Sequence, residues 1–202
     1  MALHFTESEF SARRARLMAR MAEEKLDALL LFAQESMYWL TGFDSFGYCF
    51  FQTLVVKADG TLTLLTRTPD LRQAKQTSTI ENIVVWVDRL NADPAVDLRN
   101  LLSDLDLLGM RVGVEYDTHG MTGRVARLVD NQLTNFCTVS DASYLVSNLR
   151  LVKSPAEIAK VNIPVAVLIW LMIIPMLIKI DFRSMAEVGS YWRGIGVTLF
   201  IN

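Results

Sequence analysis

The N-terminal segment carries the pattern of an amphipathic helix. Thr6 is followed three residues later by Glu9, which is the spacing of a capping box at a helix start. Apolar residues then recur at helical spacing at Phe10, Leu17 and Met21, while arginines occupy the other face. The pattern predicts a first helix with one buried face.

Short apolar runs alternate with helical segments along the rest of residues 1–150. The run ALLLF after Asp27 is typical of a central parallel strand, and the Asp59-Gly60 pair between two β-type runs predicts a hairpin. The other predicted strands are Phe50–Val56, Leu62–Thr66, Asn82–Val87, Arg111–Glu115 and Phe136–Val139. The predicted helices are Glu35–Leu40 ended by Gly42, Asp70–Lys75, a helix from Pro94 through Leu108 closed by Gly109, Thr122–Leu133 and Ala142–Arg150. This alternation predicts an α/β domain whose sheet is covered on both faces.

The distribution of charged and apolar residues changes abruptly near Lys160. Residues Ile163–Ile178 read IPVAVLIWLMIIPMLI, without a charged side chain, and approach the length that crosses a bilayer as a helix. A buried core helix or strand is the alternative, but a core helix in a small domain keeps a polar face and this run has none. A second apolar run, GIGVTLFI, follows Tyr191, Trp192 and Arg193 and is too short to span. We expect a hydrophobic helical tail with possible membrane contact through Ile163–Ile178.

Composition narrows the class of protein. The chain has 202 residues, and 20 Lys and Arg against 22 Asp and Glu leave a net charge of −2. No basic excess is present to neutralise phosphates, so nucleic acid is not an expected partner. Cys49 and Cys137 lie far apart without CxxC spacing, which fits a reducing compartment and argues against a structural zinc site. With no secretory signal in the first residues, we expect a cytoplasmic location for residues 1–160.

Candidate catalytic groups are few. Glu115, Asp117 and His119 alternate and could share one side of an extended segment, yet a metal centre needs more converging ligands, and we favour a strand that ends in a polar turn. His4 is the other histidine and lies in a segment expected to fray. Cys49 is expected to be a buried small side chain in an aromatic strand rather than a reactive thiolate. We therefore expect no catalytic residue and no metal site in this chain.

The most suggestive surface is the segment Tyr38–Tyr48, which combines aromatic residues, two glycines and a carboxylate between a helix and a strand. Aromatic loops of this kind often contact ligands or proteins. A core cluster beneath a loop is the alternative, and we weigh the two evenly. Trp39 and Leu40 are expected inside, and Phe43–Phe46 nearer the surface.

Four stretches of residues 1–160 resemble the N-terminal domain of the creatinase/prolidase family of metallohydrolases, which includes Xaa-Pro aminopeptidases. They are FTESEFSARRARLMARM at 5–21, LDALLLFAQESMYWLTGFDS at 26–45, RVGVE at 111–115 and LVSNLRLVKSPAEIAK at 145–160. The last is the most specific, because Arg150, Lys153, Ser154, Glu157 and Ile158 match the pattern that ends this domain and opens the first catalytic-domain helix.

The resemblance implies a mixed sheet with helices on both sides. It also implies that the two divalent metals of the parent family belong to a catalytic domain absent here, so that no cofactor is expected in this chain. In the family the N-terminal domain typically supports a homodimer and walls the partner's active-site mouth. Our candidates for that contact are Phe43, Asp44, Ser45, Phe46 and Tyr48, with Arg67 as a weaker one. Peptide, creatine-like and ectoine-like substrates of the parent remain open.

Residues 161–202 instead resemble an early membrane region of arsenite efflux permeases, with NIPVAVLIWLMIIPM as the distinctive part. Such permeases depend on a later intramembrane cysteine, and none follows Cys137, so we expect no transport. We expect an N-terminal domain at 1–150, a linker at 151–160 and a permease-like fragment at 161–202. The leading hypothesis is a truncated hydrolase domain with a hydrophobic tail. A membrane-tethered interaction module, or a hydrolase completed by a separately encoded catalytic domain, are the alternatives.

Overall fold

The computed structural model describes the backbone of residues 3–179 and the side chains of residues 3–174. The chain divides into two units, residues 1–152 and residues 153–202. The elements of the first unit are α1 (Glu7–Glu23), β1 (Ala28–Leu31), α2 (Gln34–Thr41), β2 (Thr53–Lys57), β3 (Leu62–Arg67), a 3₁₀ turn (Thr68–Asp70), α3 (Leu71–Thr77), β4 (Asn82–Trp86), α4 (Pro94–Asp104), β5 (Arg111–Val114), α5 (Gly123–Leu133), β6 (Thr138–Asp141) and α6 (Leu145–Leu151).

The six strands form one mixed sheet in the order β4-β3-β2-β1-β5-β6. The β1–β2 and β2–β3 pairs are antiparallel, and the β1–β5, β3–β4 and β5–β6 pairs are parallel. All four residues of β1 are buried, as expected for a central strand. The predicted hairpin is confirmed, with Gly60 at φ +88° between β2 and β3.

Helices cover both faces of the sheet. One face packs against α4 and α5 through Leu98, Leu102 and Leu133, which are all essentially inaccessible to solvent. The opposite face packs against α1, α2 and α6, with Leu17 and Leu40 among the contacts. The predicted α/β fold with a mixed sheet between two helical layers is therefore confirmed.

The helix signals at Thr6, Gly42 and Pro94 are used as predicted. The Thr6 hydroxyl accepts the Glu9 N–H at 3.3 Å and caps α1. Gly42 ends α2 at φ +80°, and Pro94 occupies the first turn of α4 behind the capping carboxylate of Asp93. These signals depend on neighbouring residues, which explains why the sequence alone reveals them.

Several predicted boundaries are wrong, among them the start of α6, which lies at Leu145 rather than Ala142. Helix α4 ends at Asp104 rather than continuing to Gly109, because Asp106 takes a left-handed backbone at φ +58° and reverses the chain. Strand β2 begins at Thr53 rather than Phe50, since residues 46–50 form turns. Strand β6 is displaced toward the C-terminus of its predicted range.

The second unit begins with one long helix, α7 (Pro155–Lys179). Ser154 and Glu157 close a reciprocal capping box, in which the Ser154 N–H donates to Glu157 Oε2 at 2.8 Å and the Glu157 N–H donates to Ser154 Oγ at 3.2 Å. The predicted hydrophobic helical tail is confirmed, and Pro164 does not interrupt it. The stretch Pro155–Ile174 is long and apolar enough to cross a membrane, and none of it is buried. The predicted second apolar run, Gly194–Ile201, lies outside the described residues.

Candidate functional site

Residues 43–50, here called the aromatic loop, connect α2 to β2. Phe46 is 89% exposed and Tyr48 is 55% exposed, whereas Phe43 and Ser45 are buried. The expectation that Phe43–Phe46 would all lie nearer the surface is therefore wrong at Phe43 and Ser45. The Phe43 ring fills the apolar cluster beneath α1 and α2, and the Ser45 hydroxyl accepts the Gly47 N–H at 2.9 Å. Phe43 and Ser45 thus lie on the buried side of the loop, and Phe46 and Tyr48 form its exposed aromatic surface.

Arg67 and Asp70 fix the outer part of this loop. A Cβ on Gly47 would lie 2.8 Å from both carboxylate oxygens of Asp70, so the loop backbone passes directly against that carboxylate. Arg67 forms an ion pair with Asp70 at 3.1 Å, and its guanidinium carbon lies 3.4 Å from the centre of the Phe50 ring. The structure thereby brings the predicted candidate Arg67 together with the aromatic loop.

The loop also borders a pair of adjoining cavities, of about 460 and 280 Å³. Both are lined by Glu35, Thr118 and His119, and the smaller one also receives Asp44 and Tyr48 from the aromatic loop. They lie where the parallel strands β1 and β5 end, which is the usual crevice for ligands in an open α/β sheet. Asp44 is exposed, and its N–H donates to Thr77 Oγ1 at 3.2 Å.

Glu115, at the end of β5, is 2% exposed and accepts three hydrogen bonds. One oxygen accepts the N–H groups of Phe32 and Ala33 at 3.0 and 2.8 Å, and the other accepts the Ser36 hydroxyl at 2.6 Å. Ala33 is the N-cap of α2, and Glu115 accepts its N–H in the way that the Glu of a capping box does, although Glu115 lies at the end of a different strand. Burial raises the pKa of Glu115, and its hydrogen bonds partly oppose this effect.

The alternating residues Glu115, Asp117 and His119 do not form a metal centre. The Glu115 carboxylate is turned inward, while Asp117 and His119 are exposed, and Asp117 accepts the Tyr144 hydroxyl at 3.0 Å. Within the described part of the chain no three His, Cys, Asp or Glu side chains are placed to hold an ion. His4 Nδ1 lies 2.5 Å from the Tyr38 hydroxyl oxygen.

The cysteine prediction requires a correction. Cys49 was expected to be buried in a strand, but it is exposed and lies in the turn that precedes β2. The cause is the later start of β2 at Thr53, which leaves the aromatic run of residues 46–50 outside the sheet. Cys137 is half-buried, and burial raises the pKa of its thiol.

Residues 13–152 match the family model of the creatinase/prolidase N-terminal domain, which is more than half of the chain. The chain belongs to the creatinase/prolidase N-terminal domain family. The resemblance carried by residues 1–160 is therefore confirmed, and the aromatic loop and both cavities lie inside the matched region.

Two of the curated relatives are named as hydrolases. An uncharacterised hydrolase/peptidase of Sinorhizobium fredii is 28% identical over 164 residues, which cover 78% of this chain and 42% of the relative. The ectoine hydrolase of Halomonas elongata is 26% identical over 165 residues, which cover 78% of this chain and 41% of the relative. The chain thus spans about two-fifths of the length of these relatives.

Solved structures of prolidase-type proteins share the fold. A prolidase from Thermococcus sibiricus has a TM-score of 0.63 and 19% identity, over 74% of this chain and 39% of that one. The N-terminal domain of the cytoplasmic peptidase PepQ from Mycobacterium tuberculosis has a TM-score of 0.51 and 22% identity, over 68% of this chain and 98% of that one. At these identities the likeness concerns the fold alone.

A third curated protein matches a shorter stretch of the chain. The arsenical-resistance protein Acr3 of Alkaliphilus metalliredigens is 56% identical over 46 residues, which cover 23% of this chain and 13% of that protein. This match confirms the resemblance to an arsenical permease fragment.

Proposed function

We propose that this chain is the non-catalytic N-terminal domain of a creatinase/prolidase-type metallohydrolase, joined to a permease fragment before the parent's metal site. The family assignment and the partial coverage of the curated hydrolases support this proposal. The two divalent metals of the parent would be held by the absent catalytic domain, and this chain would hold none. Its remaining tasks would be to form a homodimer and to cover an active-site mouth.

The exposed, anchored aromatic loop is the observation that carries the covering role. Phe46 and Tyr48 present large rigid rings to solvent, and such side chains contribute most to binding energy at protein interfaces. Asp44 lies beside them and supplies a carboxylate. Phe43 and Ser45 would act from beneath, by holding the loop in place, and Arg67 would hold it from the side. A loop fixed in this way loses little entropy when it binds.

Binding to an isolated catalytic domain tests this role. The C-terminal part of the Halomonas ectoine hydrolase, expressed separately, would be titrated with the full chain in mild detergent while binding and substrate KM are measured. We expect saturable binding that Phe46→Ala weakens about tenfold or more, as for an interface hot spot. Leu108→Ala is the matched control, since Leu108 is also an exposed apolar side chain, at 66%.

Two results would contradict the proposal. Equal binding by the Phe46→Ala and Leu108→Ala variants would show that the aromatic loop is not part of the interface. Metal-dependent cleavage of Xaa-Pro dipeptides by the chain alone, with manganese, cobalt or zinc, would show that it is not a non-catalytic domain. Activity that arises only when the two parts are combined would favour a hydrolase assembled from two polypeptides.

A membrane-tethered interaction module is the second candidate function, and α7 favours it. The stretch Pro155–Ile174 has the length and composition of a membrane span, and its side chains are exposed. In this case residues 1–160 would face the cytoplasm, with membrane contact through Ile163–Ile178. Carbonate extraction of membranes from expressing cells separates the two candidates, because an inserted helix stays in the membrane pellet. Complete release into the soluble fraction would exclude insertion.

A further inference from the structure

Strand β4 forms one edge of the sheet. Within the described residues it pairs with β3 along one side, and the six-stranded order ends there. A strand at an edge exposes a row of main-chain N–H and C=O groups that another strand can pair with. The partner that such an edge can bind is therefore a second main chain in an extended conformation.

This edge lacks the features that usually block such pairing. The sequence Asn-Ile-Val-Val-Trp contains no Lys or Pro, and its register with β3 is continuous from Asn82 to Trp86, without a bulge. Val84 is 40% exposed on the strand, and the apolar side chains of Val87 and Leu90 are still more exposed just after it. The opposite edge strand, β6, instead ends on the exposed carboxylate of Asp141.

We propose that β4 pairs antiparallel with β4 of a second copy of this chain, on a two-fold axis through Val84. A five-residue strand centred on that axis pairs along its whole length, because each half of one copy meets the other half of its partner. Asn82 then lies opposite Trp86, Ile83 opposite Val85, and Val84 opposite itself. None of these directly opposed pairs brings like charges together.

Charges that flank the strand favour a second copy as the occupant. Glu81 precedes β4 and Arg89 follows it, and neither has an ion-pair partner among residues 3–174. Strand β4 ends at Trp86, and pairing continued beyond that residue would place Glu81 opposite Val87 of the second copy and diagonal to its Arg89. Long side chains reach across such a diagonal, and the symmetry supplies the contact twice. The same strand offers no such complementarity to an arbitrary peptide.

This inference rests on the homodimer in the proposed function and assigns its interface. The test uses two differently tagged copies of the full chain, coexpressed and purified through one tag in mild detergent. Val84→Lys in both copies places two ammonium groups directly opposite each other, and Val84→Glu in both places two carboxylates there. In a mixed dimer of one Val84→Lys copy and one Val84→Glu copy, a Lys lies opposite a Glu.

We expect wild-type copies to purify together. Each like-charged pair should lower dimer affinity about tenfold or more, and the mixed Lys–Glu pair should restore it. Met110→Lys is the matched control, because Met110 is 42% exposed but lies just before β5, which three strands separate from β4. That variant should leave recovery unchanged, and circular dichroism checks that every variant retains its secondary structure.

The alternative results point to different failures. Full recovery of the Lys–Lys and Glu–Glu pairs would overturn the β4 interface while leaving the proposed homodimer in place. Loss in the like-charged pairs without rescue in the mixed pair would overturn the two-fold register. Wild-type copies that never purify together would overturn both this inference and the homodimer, whereas the covering role of the aromatic loop is judged separately by the Phe46→Ala titration.

Discussion

Replacing Glu115 is the sharpest test of how the structure builds the crevice at the ends of β1 and β5. In Glu115→Ala the N–H groups of Phe32 and Ala33, which are at least nine-tenths buried, lose their shared acceptor. Each buried donor left without a partner costs about 1–3 kcal/mol, and removal of a buried carboxylate returns part of that cost. We therefore expect a loss of about 3–4 kcal/mol in the free energy of unfolding.

Conservative and control variants separate the hydrogen bonds from the charge. Glu115→Gln keeps one oxygen acceptor and the shape, so we expect a loss of about 1–2 kcal/mol at neutral pH. Glu35→Gln removes a nearby exposed carboxylate and should change stability by no more than about 0.5 kcal/mol. The assay is urea unfolding of the full chain in mild detergent, followed by the fluorescence of the buried Trp39 and Trp86.

The pH dependence of this comparison has a definite sign. Since burial raises the pKa of Glu115 above its ordinary 4.5, the folded chain binds a proton more tightly than the unfolded chain. That contribution is fully present below the ordinary pKa and is lost as the pH rises through the folded value. The stability advantage of wild type over Glu115→Gln should therefore be largest below the ordinary pKa and shrink as the pH rises above it. A Glu115→Ala variant within about 1 kcal/mol of wild type would refute the reasoning.

Three further predictions concern the glycines of the first unit and the apolar helix α7. Gly47→Ala would place a Cβ 2.8 Å from the Asp70 carboxylate and should cost about 1–3 kcal/mol in urea unfolding while weakening binding through the aromatic loop. Gly60→Ala, at φ +88° with open space around it, should cost about 1 kcal/mol, and Gly42→Ala should cost more, because Thr77 O lies 3.0 Å from the added Cβ. A lysine in the middle of a membrane span raises the free energy of insertion by about 3 kcal/mol. Leu168→Lys should therefore shift the protein from the carbonate-resistant membrane pellet toward the supernatant.

Most of the fold could be predicted from the sequence, because the signals for its elements lie in neighbouring residues. The capping pair of Thr6 and Glu9, the stop at Gly42 and the hairpin at Gly60 each depend on residues within one turn, and the structure uses all three. The apolar tail was predictable for the same reason, since a charge-free run is a property of adjacent residues. The predicted α4 is too long because leucines continue at helical spacing beyond Asp104, where the backbone reverses.

The candidate site was predictable only in part, because its contacts join distant segments. The capping role of Glu115 links it to residues more than 80 positions earlier, and no spacing rule reveals such a pair. Whether Phe43 or Phe46 faces the core depends on the turn that the buried Ser45 hydroxyl closes. Position N3 of α2 is Ser36 rather than the Glu or Gln of a capping box, so the Ala33 N–H needs an acceptor from elsewhere in the chain.

Metal content measured together with hydrolysis tests the central claim most directly. The full chain would be dialysed against manganese, cobalt or zinc, analysed for bound metal by mass spectrometry, and assayed on Xaa-Pro dipeptides. The account predicts background metal after a brief wash and no turnover above the buffer blank. A divalent ion retained in stoichiometric amount, with metal-dependent cleavage, would contradict it.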